Sequence, residues 1–418
     1  MLATTCTKTD DVISPQELGT TSNKLGTDDR TISEEQLRAR VCEDNRLSTE
    51  QQEDLYNVLA KYRQHVTKRP GKYTQSVYEF KIEGSMPHSA KSRPIPFALR
   101  NQVSEQVRAM LKDGILEESH TAYINPTTLV VREGKAVRIC LDARRINRQM
   151  VADRSKVMPM REILQNFYRA KYITSLDLSS AFLQIPLEKS SRQWSAFQFE
   201  SNVYQFTTVP YGFKYSLAAF IGALEKVLGD CGLNNNMVMY VDDLLIHSST
   251  FTEHLYRIDL VLDKLTSAGF TVNAAKCQFC KPEIKFLGHI ISDGVKANRE
   301  RTEVILSYSV PKNQRQLRKF FGICDFHQQF ILDYSTYVEA LLILLRKGNK
   351  WQWTDALQQA FETLRAKFSH SIQLIHTDEQ KGWIINPDAS GHRFSIITGK
   401  GRWMIQYCIN CIKGLEPN

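Results

Sequence analysis

The chain has 418 residues, and its 54 Lys and Arg against 45 Asp and Glu give a formal net charge of +9. Hydrophobic residues make up 42% and charged residues 24% of the chain, which excludes wholly disordered, collagen-like and mucin-like proteins. No apolar run in the sequence reaches the roughly 18 residues that a membrane-spanning helix requires. At roughly 150 residues per domain, the length predicts two or three folded units.

The positive charge is concentrated in one part of the chain. Residues 91–171 contain 16 Lys and Arg against 8 Asp and Glu. A basic stripe of this kind is typical of proteins that bind the phosphate backbone of a nucleic acid. A solvated basic surface gives the same pattern, so charge alone leaves both interpretations open.

The cysteines and the N-terminus bear on the cellular compartment. The first residues lack the basic and apolar segments of a secretory signal. Nine cysteines, an odd number, are scattered over the chain, which favours reduced thiols in the cytosol over a disulfide framework.

Two Cys-x-x-Cys pairs, Cys277–Cys280 and Cys408–Cys411, would supply four thiolates for zinc. The pairs lie far apart in the sequence, and we expect no zinc site. Three isolated histidines are expected to be surface or packing residues: His254, His289 and His327.

The sequence of the N-terminal region predicts a tail followed by a helix. Residues 1–47 are rich in Thr, Ser, Asp and Glu, which predicts a mobile tail or linker. Ser48 with Gln51 three residues later indicates a capping box at a helix start. A stretch broken by Pro and Gly completes the N-terminal region 48–100, and a second helix is predicted over Arg100–Leu116.

The middle of the chain alternates short apolar runs with amphipathic helices. The patterns predict hairpin strands at Thr127–Val131 and Ala136–Leu141, a buried strand at Tyr172–Leu178, a helix at Ser216–Leu228, a second hairpin with strands Met237–Tyr240 and Leu244–His247, and a helix at Glu253–Ala268 closed by Gly269. Beyond Gly288 the pattern turns helical, with helices predicted over Gln314–Gln329 and Thr354–Phe368.

Three carboxylates lie at the ends of apolar segments, where a charged group costs free energy. Asp177 ends an apolar strand, and Asp242 and Asp243 sit at the tip of an apolar hairpin. Adjacent acids stay ionised together only with positive charge nearby. Mg²⁺ supplies it through one or two carboxylates and substrate phosphates, and two ions about 3.5–4 Å apart clamp the oxygens of a phosphoryl transfer. A polar hairpin turn is the alternative, because Asp is common in turns.

Six sequence motifs, two of which contain these acids, follow one another in a characteristic order. They are Val137–Asp142 with Arg144–Asn147, Ile173–Leu178 with Phe182–Ile185, Val209–Lys214, Tyr240–Asp243, Ala268–Asn273 with Lys276–Phe279, and Phe286–His289. In order and spacing they resemble the motifs of the reverse transcriptase of gypsy-type LTR retrotransposons, and the likeness extends over roughly residues 48–390. Tyr240–Asp243 is similar to that family's Tyr-x-Asp-Asp hairpin.

The resemblance implies an α/β (α+β) fold, a right-hand polymerase with fingers, palm and thumb. Fingers and palm would occupy residues 101–290, and a thumb and connection segment residues 291–370. Residues 371–418 would form a truncated, degenerate start of an RNase H-like domain. Within the thumb segment, Arg315, Arg318 and Lys319 would follow the phosphates of the template-primer, or form a solvated helix face.

The implied activity is RNA-directed DNA polymerisation, the addition of dNTPs to a primer 3′-OH on an RNA or DNA template. Two Mg²⁺ ions, with Mn²⁺ as an alternative, would be held by Asp177, Asp242, Asp243 and the carbonyl of Leu178. The implied primer-grip residues are Phe286, Leu287 and Gly288.

Four further residues would contact the incoming nucleotide. Arg138 would reach the triphosphate, since a guanidinium fork matches phosphate geometry. Phe182 occupies the family's steric-gate position and would clash with a 2′-OH, which implies selection of dNTPs. Tyr211 would pack near the 3′ side of the sugar. Lys276 would donate a proton to the leaving pyrophosphate, or be a surface lysine.

The implied partners are an RNA template, a DNA primer-template and dNTPs, with no membrane partner and with homo-oligomerisation left open. The implied location is the cytoplasm, with a virus-like particle and the nucleus as further compartments. Two rival functions remain: a catalytically inactive nucleic-acid-binding remnant, and an RNA-dependent RNA polymerase, against which Phe182 argues.

The sequence departs from the family pattern in two places. Tyr215–Leu217 replaces the usual Asn-Ala-Pro, and the lost proline is expected to loosen the following helix start. Asn386–Ser390 resembles the opening of the RNase H domain, but no glycine-rich strand is recognisable in His392–Ile397. The chain stops at Asn418, before the remaining acids that a two-metal nuclease needs. We therefore expect no RNase H activity, and a polyprotein fragment or a decayed genomic copy.

Overall fold

The structure is a computed structural model. It describes residues 31–43, 46–84, 93–131, 137–151, 163–164, 167, 170–233, 236–241, 243–292, 294–331, 334–370, 384–390, 393–400 and 403–409. Of the acids singled out above, Asp242 lies outside these ranges. None of the helices within them is long and apolar enough to cross a membrane.

Helices and strands alternate through most of the chain. The described α-helices are α1 (Glu34–Val41), α2 (Thr49–Lys61), α3 (Arg100–Lys112), α4 (Arg144–Asn147), α5 (Lys189–Arg192), α6 (Ser216–Leu228), α7 (Phe251–Ser267), α8 (Arg299–Leu306), α9 (Gln314–Cys324), α10 (Tyr334–Leu342) and α11 (Asp355–Lys367).

The strands are short and pair antiparallel within their sheets. They are β1 (Leu116–Glu118), β2 (Thr127–Val130), β3 (Arg138–Leu141), β4 (Tyr172–Asp177), β5 (Phe197–Phe199), β6 (Asn202–Phe206), β7 (Met237–Tyr240), β8 (Asp243–Ser248), β9 (Gln278–Lys281), β10 (Ile284–Phe286), β11 (His289–Ile291), β12 (Val295–Ala297), β13 (Ile384–Ser390), β14 (Arg393–Lys400) and β15 (Trp403–Ile409). The mixture agrees with the predicted α/β class.

The central sheet has the strand order β7-β8-β4-β9. Its middle strands are apolar and buried, because helices α6 and α7 cover the sheet with their own apolar faces. The predicted strands, both hairpins and both helices in this region are confirmed, and each end lies within two residues of its predicted position. Gly269 closes α7 with a φ of +88°, as its predicted capping role requires.

The N-terminal region is more ordered than predicted. Ser48 and Gln51 form the predicted capping box at the start of α2. The prediction of a tail over residues 1–47 is wrong for its last part, because α1 lies within that range and has its own capping box. Leu37 and Val41 of α1 are buried in the main core, so burial against α2 stabilises a helix with few apolar residues. Residues 1–30 lie outside the described ranges.

Three other predicted boundaries are wrong. Helix α3 ends at Lys112 instead of residue 116, because Gly114 takes a φ of +68° and the next residues enter β1. The chain after Gly288 begins with two strands, β11 and β12, before it turns helical. Helix α9 ends at Cys324, where a 3₁₀ turn over Asp325–Phe330 continues the chain.

The C-terminal part has its own core and its own sheet. Helices α8 to α11 enclose a separate buried cluster around Phe320 and Phe361. Strands β13, β14 and β15 form a three-stranded antiparallel meander. Within the segment in which no glycine-rich strand was recognisable, residues 393–397 form the start of β14. The assignment of residues 371–418 to an RNase H-like domain stays a prediction.

Glycine is required where the loop between β6 and α6 meets the β2–β3 hairpin. Gly212 has a φ of +109°, and a Cβ built there would lie 2.1 Å from the Leu141 carbonyl oxygen. The backbone of β3 is fixed to the same turn by the hydrogen bond from Leu141 N to Tyr211 O, 3.1 Å long. A side chain at position 212 would thus displace β3.

Replacing Gly212 tests this contact. We expect Gly212→Ala to lower the free energy of unfolding by at least the roughly 1–3 kcal/mol that such a backbone conformation costs a non-glycine residue. Gly222 in α6 is the matched control, because a Cβ there meets nothing within 4 Å. Gly222→Ala should raise stability by roughly 0.4–1 kcal/mol. Urea unfolding measures both changes, and equal stabilities for the two variants would contradict the packing.

Candidate active site

The site is built around two carboxylates on adjacent strands of the central sheet. Asp177 ends β4 and Asp243 begins β8, and the antiparallel register pairs them directly. Directly opposed residues of an antiparallel pair project to the same face, with Cβ atoms roughly 4.5–5.5 Å apart. The structure therefore brings together two of the three predicted catalytic acids. The third, Asp242, lies outside the described residues.

The hairpin that carries Asp243 has a strained tip. Tyr240 pairs with Asp243, which leaves Val241 and Asp242 as a two-residue connection. Val241 has a φ of +55°, a conformation that a β-branched residue rarely adopts. Two-residue hairpins need positive φ at the tip to match the strand twist. Strain of this kind, of order 1–3 kcal/mol, persists only where the surrounding structure fixes it.

A lysine offsets the repulsion between the two carboxylates. Lys276 Nζ lies 3.0 Å from Asp177 Oδ1 and 3.2 Å from Asp177 Oδ2. Like charges directly opposite each other in a sheet are destabilising, so a cation here favours the pairing of Asp177 with Asp243. The structure thus places Lys276, predicted as a proton donor, in direct contact with a predicted metal ligand.

The turn before Lys276 is fixed to Asp177 through the backbone. Asn273 N donates to Asp177 O at 2.8 Å, and Asp177 N donates to the Cys277 sulfur at 3.3 Å. The Cys277 thiol in turn donates to Asn273 O at 3.3 Å. Burial raises the pKa of Cys277 to about 12, so Cys277 is a neutral thiol with a packing role. Its role in the site was not apparent from the sequence.

The carbonyl of Asp177 belongs to a short series of backbone pairings that also includes Leu178. Leu178 is buried and bridges Val272, which bridges Val66 on its other side. The buried Gln184 braces the same segment, because its side-chain amide donates to Ser179 O and Thr271 O and accepts from Thr271 N. The role of Gln184 was not apparent from the sequence, since a glutamine inside an apolar run does not indicate its partners.

Three of the residues predicted to contact the substrate lie against one another. Phe182 lies in a 3₁₀ turn, Ala181–Gln184, that follows a left-handed residue, Ser180. The rings of Phe182 and Tyr211 have centroids 5.5 Å apart. The Arg138 guanidinium lies 5.0 Å from the Tyr211 ring centroid. The predicted gate, sugar contact and triphosphate contact are therefore neighbours.

The predicted primer-grip residues form a second tight hairpin. Phe286 pairs with His289 across Leu287 and Gly288, which have φ values of +49° and +79°. The buried Phe286 ring meets the ring of Tyr240 edge to face, with centroids 6.2 Å apart. This contact joins the primer-grip hairpin to the hairpin that carries Asp243.

The three histidines are all buried, which confirms the packing alternative of the prediction and excludes the surface one. His254 bonds the Thr174 hydroxyl behind β4 at 2.7 Å. His289 and His327 pack together with centroids 5.8 Å apart, against Phe330. Burial lowers the pKa of His254 to about 3 and the pKa values of His289 and His327 to about 4. All three are packing residues that stay neutral at physiological pH.

Two other expectations concern α6 and α9. Helix α6 begins directly after Tyr215, and the Ser216 hydroxyl donates to Pro210 O at 2.8 Å, which secures the start that the missing proline was expected to loosen. Arg315, Arg318 and Lys319 are exposed on α9, opposite its buried face. Both the phosphate-contact and the solvated-surface interpretations fit that exposure.

No group of three or more His, Cys, Asp and Glu side chains suited to a metal ion occurs in the described part of the chain. For the Cys-x-x-Cys pairs, Cys277 and Cys280 are buried, Cys408 lies in β15, and Cys411 falls outside the described ranges. The Cys277 sulfur is already engaged with backbone groups at Asp177 and Asn273.

Comparison with known proteins identifies the central region. Residues 131–291 match the family model described as reverse transcriptase (RNA-dependent DNA polymerase). This stretch contains β3, the central sheet and the primer-grip hairpin. This central region is therefore similar to reverse transcriptases, in agreement with the resemblance that its motifs indicate.

Similar curated proteins are polyproteins of transposons. The chain is 30% identical over 340 residues to the retrovirus-related Pol polyprotein from transposon 297 of Drosophila melanogaster, covering 79% of this chain and 32% of that protein. It is 29% identical over 301 residues to the transposon Tf2-3 polyprotein of Schizosaccharomyces pombe, covering 72% and 22%. The chain thus spans between about a fifth and a third of the curated relatives it matches.

Solved structures support the fold. The foamy viral protease-reverse transcriptase in complex with double-stranded DNA has a TM-score of 0.81 at 23% identity, covering 90% of this chain and 80% of that one. The same viral protein in complex with an RNA/DNA hybrid has a TM-score of 0.76 at 22% identity, covering 91% and 53%. The predicted polymerase fold is confirmed.

Proposed function

We propose that this chain, which carries the reverse transcriptase domain of a retrotransposon Pol polyprotein, is an RNA-directed DNA polymerase that adds dNTPs to a primer 3′-OH. The pairing of Asp177 with Asp243 next to the Tyr240–Asp243 hairpin is the observation that carries the proposal. An opposed pair of carboxylates at the end of a buried sheet is costly without cations, and phosphoryl transfer supplies a use for cations at that place.

The donor set fits hard divalent cations. Carboxylate oxygens are the ligands that Mg²⁺ prefers, together with substrate phosphates. Asp177 already holds a cationic group, the Lys276 ammonium, against both of its oxygens. Asp177, Asp243, Asp242 and the Leu178 carbonyl would hold two Mg²⁺ or Mn²⁺ ions. Such ions stabilise negative charge on the reacting phosphoryl oxygens and favour ionisation of the attacking hydroxyl.

The residues of the chain would mainly position the substrates. Arg138 would bind the triphosphate through its guanidinium. Phe182, held against Tyr211, would exclude a 2′-OH from the sugar pocket. Lys276 holds a proton at Nζ next to Asp177 and would give it to the pyrophosphate as it leaves. Phe286, Leu287 and Gly288 would hold the primer end.

The finer assignments are part of the same proposal. The polyprotein would be of the gypsy type, its template would be RNA or DNA, and the primer-template and dNTPs would be its substrates. The cytoplasm, including a virus-like particle, would be its place of action, with access to the nucleus. Homo-oligomerisation stays open. The motif order supports the gypsy type, and the similarity to transposon polyproteins supports a polyprotein origin.

Primer extension on an RNA template with Mg²⁺ and dNTPs tests the proposal. We expect Asp177→Asn and Asp242→Asn each to lower the incorporation rate about 10³-fold, equivalent to roughly 4 kcal/mol of lost transition-state stabilisation. Asp263→Asn, an exposed change in α7, is the control and should leave the rate unchanged. A wild-type protein that binds the template-primer but does not extend it would instead be the non-catalytic remnant.

The sugar gate is tested by comparing dNTP and NTP incorporation. Removing the Phe182 ring opens space next to Tyr211, so Phe182→Ala should reduce the preference for dNTPs, measured as the ratio of kcat/KM values, by about 10- to 100-fold. Tyr256→Ala, at a residue 66% exposed on α7, is the control. If the Phe182→Ala variant kept the wild-type preference, Phe182 would not be the gate. A wild type that prefers NTPs would point to an RNA-dependent RNA polymerase.

A further inference from the structure

Helix α1 reaches the active site through one side chain. Arg40 Nη2 donates to the Ala275 carbonyl oxygen at 2.7 Å, across 235 positions of sequence. Its Nη1 donates to Glu43 at 2.6 Å, so the guanidinium is held on two sides. Both α1 and Arg40 lie outside residues 131–291, the segment that matches the reverse transcriptase family model.

The carbonyl that Arg40 holds belongs to the peptide unit that leads into Lys276. Because a peptide unit is planar, fixing the direction of the Ala275 carbonyl also fixes the N–H of Lys276. That N–H donates to Asn273 O at 2.9 Å, which closes the turn. The Lys276 side chain then meets Asp177 at 3.0 Å.

Open space surrounds this contact. A cavity of about 320 Å³ lies on one side, lined in part by Gln36, Arg40 and Asn273–Ala275. A second cavity of about 440 Å³ lies on the other side and is also lined by Arg40 and Ala275. Ala275 and Lys276 are exposed. Ala274 and Cys277 are buried on the inner side of the turn, so the bond from Arg40 acts on its exposed outer side.

The base from which Arg40 projects is rigid relative to the site. Leu37 and Val41 of α1 are 1% and 3% exposed within the main core. Ile32 N donates to Val66 O at 3.1 Å, and Val66 bridges Val272. The N-terminal segment is thus connected through Val66 and Val272 to Leu178. Helix α1 is therefore fixed to the same backbone that carries Asp177.

We propose that Arg40 is a positioning residue for polymerisation: it fixes the Asn273–Lys276 turn and so holds the Lys276 ammonium at Asp177. The proposal rests on the proposed polymerase function and adds to it a residue from an N-terminal helix. Glu43 orients the guanidinium but does not contact the turn, so its contribution is smaller.

A double-mutant cycle on the full chain tests whether Arg40 acts through Lys276. The measured quantities are the rate constant of single-nucleotide incorporation and the dissociation constant of the dNTP for the wild type, Arg40→Ala, Lys276→Gln and the double variant. We expect Arg40→Ala to lower the rate constant about 10-fold, the value of a hydrogen bond from a charged donor, with less than a twofold change in dNTP affinity. In the Lys276→Gln background the same change should have less than a twofold effect on the rate constant.

Equal losses in both backgrounds would overturn the proposal, because Arg40 would then act independently of Lys276. Glu43→Gln is the matched control: it removes the ion pair and keeps the bond to Ala275, so its rate should stay within twofold of wild type. If Glu43→Gln were as slow as Arg40→Ala, the ion pair on α1 would be responsible, and the proposal would be wrong. Arg40→Lys, which keeps a charged donor, should recover part of the rate.

Amide hydrogen exchange provides a readout that does not depend on activity. In Arg40→Ala the amides of Lys276 and Cys277 should exchange at least about fivefold faster, whereas those of Leu55 and Leu59 in α2 should keep their wild-type rates. Unchanged exchange at residues 276 and 277 would overturn the positioning role. If the wild type failed to incorporate nucleotides, the proposed polymerase function would be wrong. The exchange rates would still decide whether Arg40 holds the turn.

Discussion

The register between β4 and β8 is the constraint on which the site depends. It places the carboxylates of Asp177 and Asp243 opposite each other at the end of a buried sheet, an arrangement that repulsion disfavours. Lys276 offsets this repulsion, because its ammonium group contacts both oxygens of Asp177. A one-residue shift of register would turn one carboxylate to the other face of the sheet. Both the charge balance and the chemistry would then be lost.

Three of the five non-glycine residues with positive φ in the described part of the chain lie in turns that carry predicted site residues. Ser180, Val241 and Leu287 all have positive φ values of about 50°, in the turn before Phe182, in the Tyr240–Asp243 hairpin and in the primer-grip hairpin. Such conformations need support from their surroundings. The contact between the rings of Tyr240 and Phe286 supplies part of it, and the buried cores of the flanking strands supply the rest. Tight hairpins allow the backbone to turn within two residues, so that side chains from separate strands reach one place.

The sequence predicts the central sheet well because its signals are local. The apolar run before Asp177, the hairpin around Val241 and the capping box at Ser48 can each be recognised within about seven residues. The missed features depend on distant partners. Helix α1 has only two buried residues, Leu37 and Val41, and is stabilised by α2. Strands β11 and β12 are three residues long, too short to show a period. The hydrogen bond from Arg40 to Ala275 spans 235 positions, and no pattern in either segment indicates it.

Binding of Mn²⁺ tests the carboxylate pairing most directly, because it needs no turnover. Titration of the full chain with Mn²⁺, followed by electron paramagnetic resonance in the presence of template-primer and dNTP, should show saturable binding to the wild type. Asp177→Asn and Asp243→Asn should each weaken that binding more than tenfold, since each removes one charged ligand, while Asp263→Asn should not change it. Equal affinities in all four proteins would show that Asp177 and Asp243 do not act together as a cation site, and would contradict the mechanism derived from their pairing.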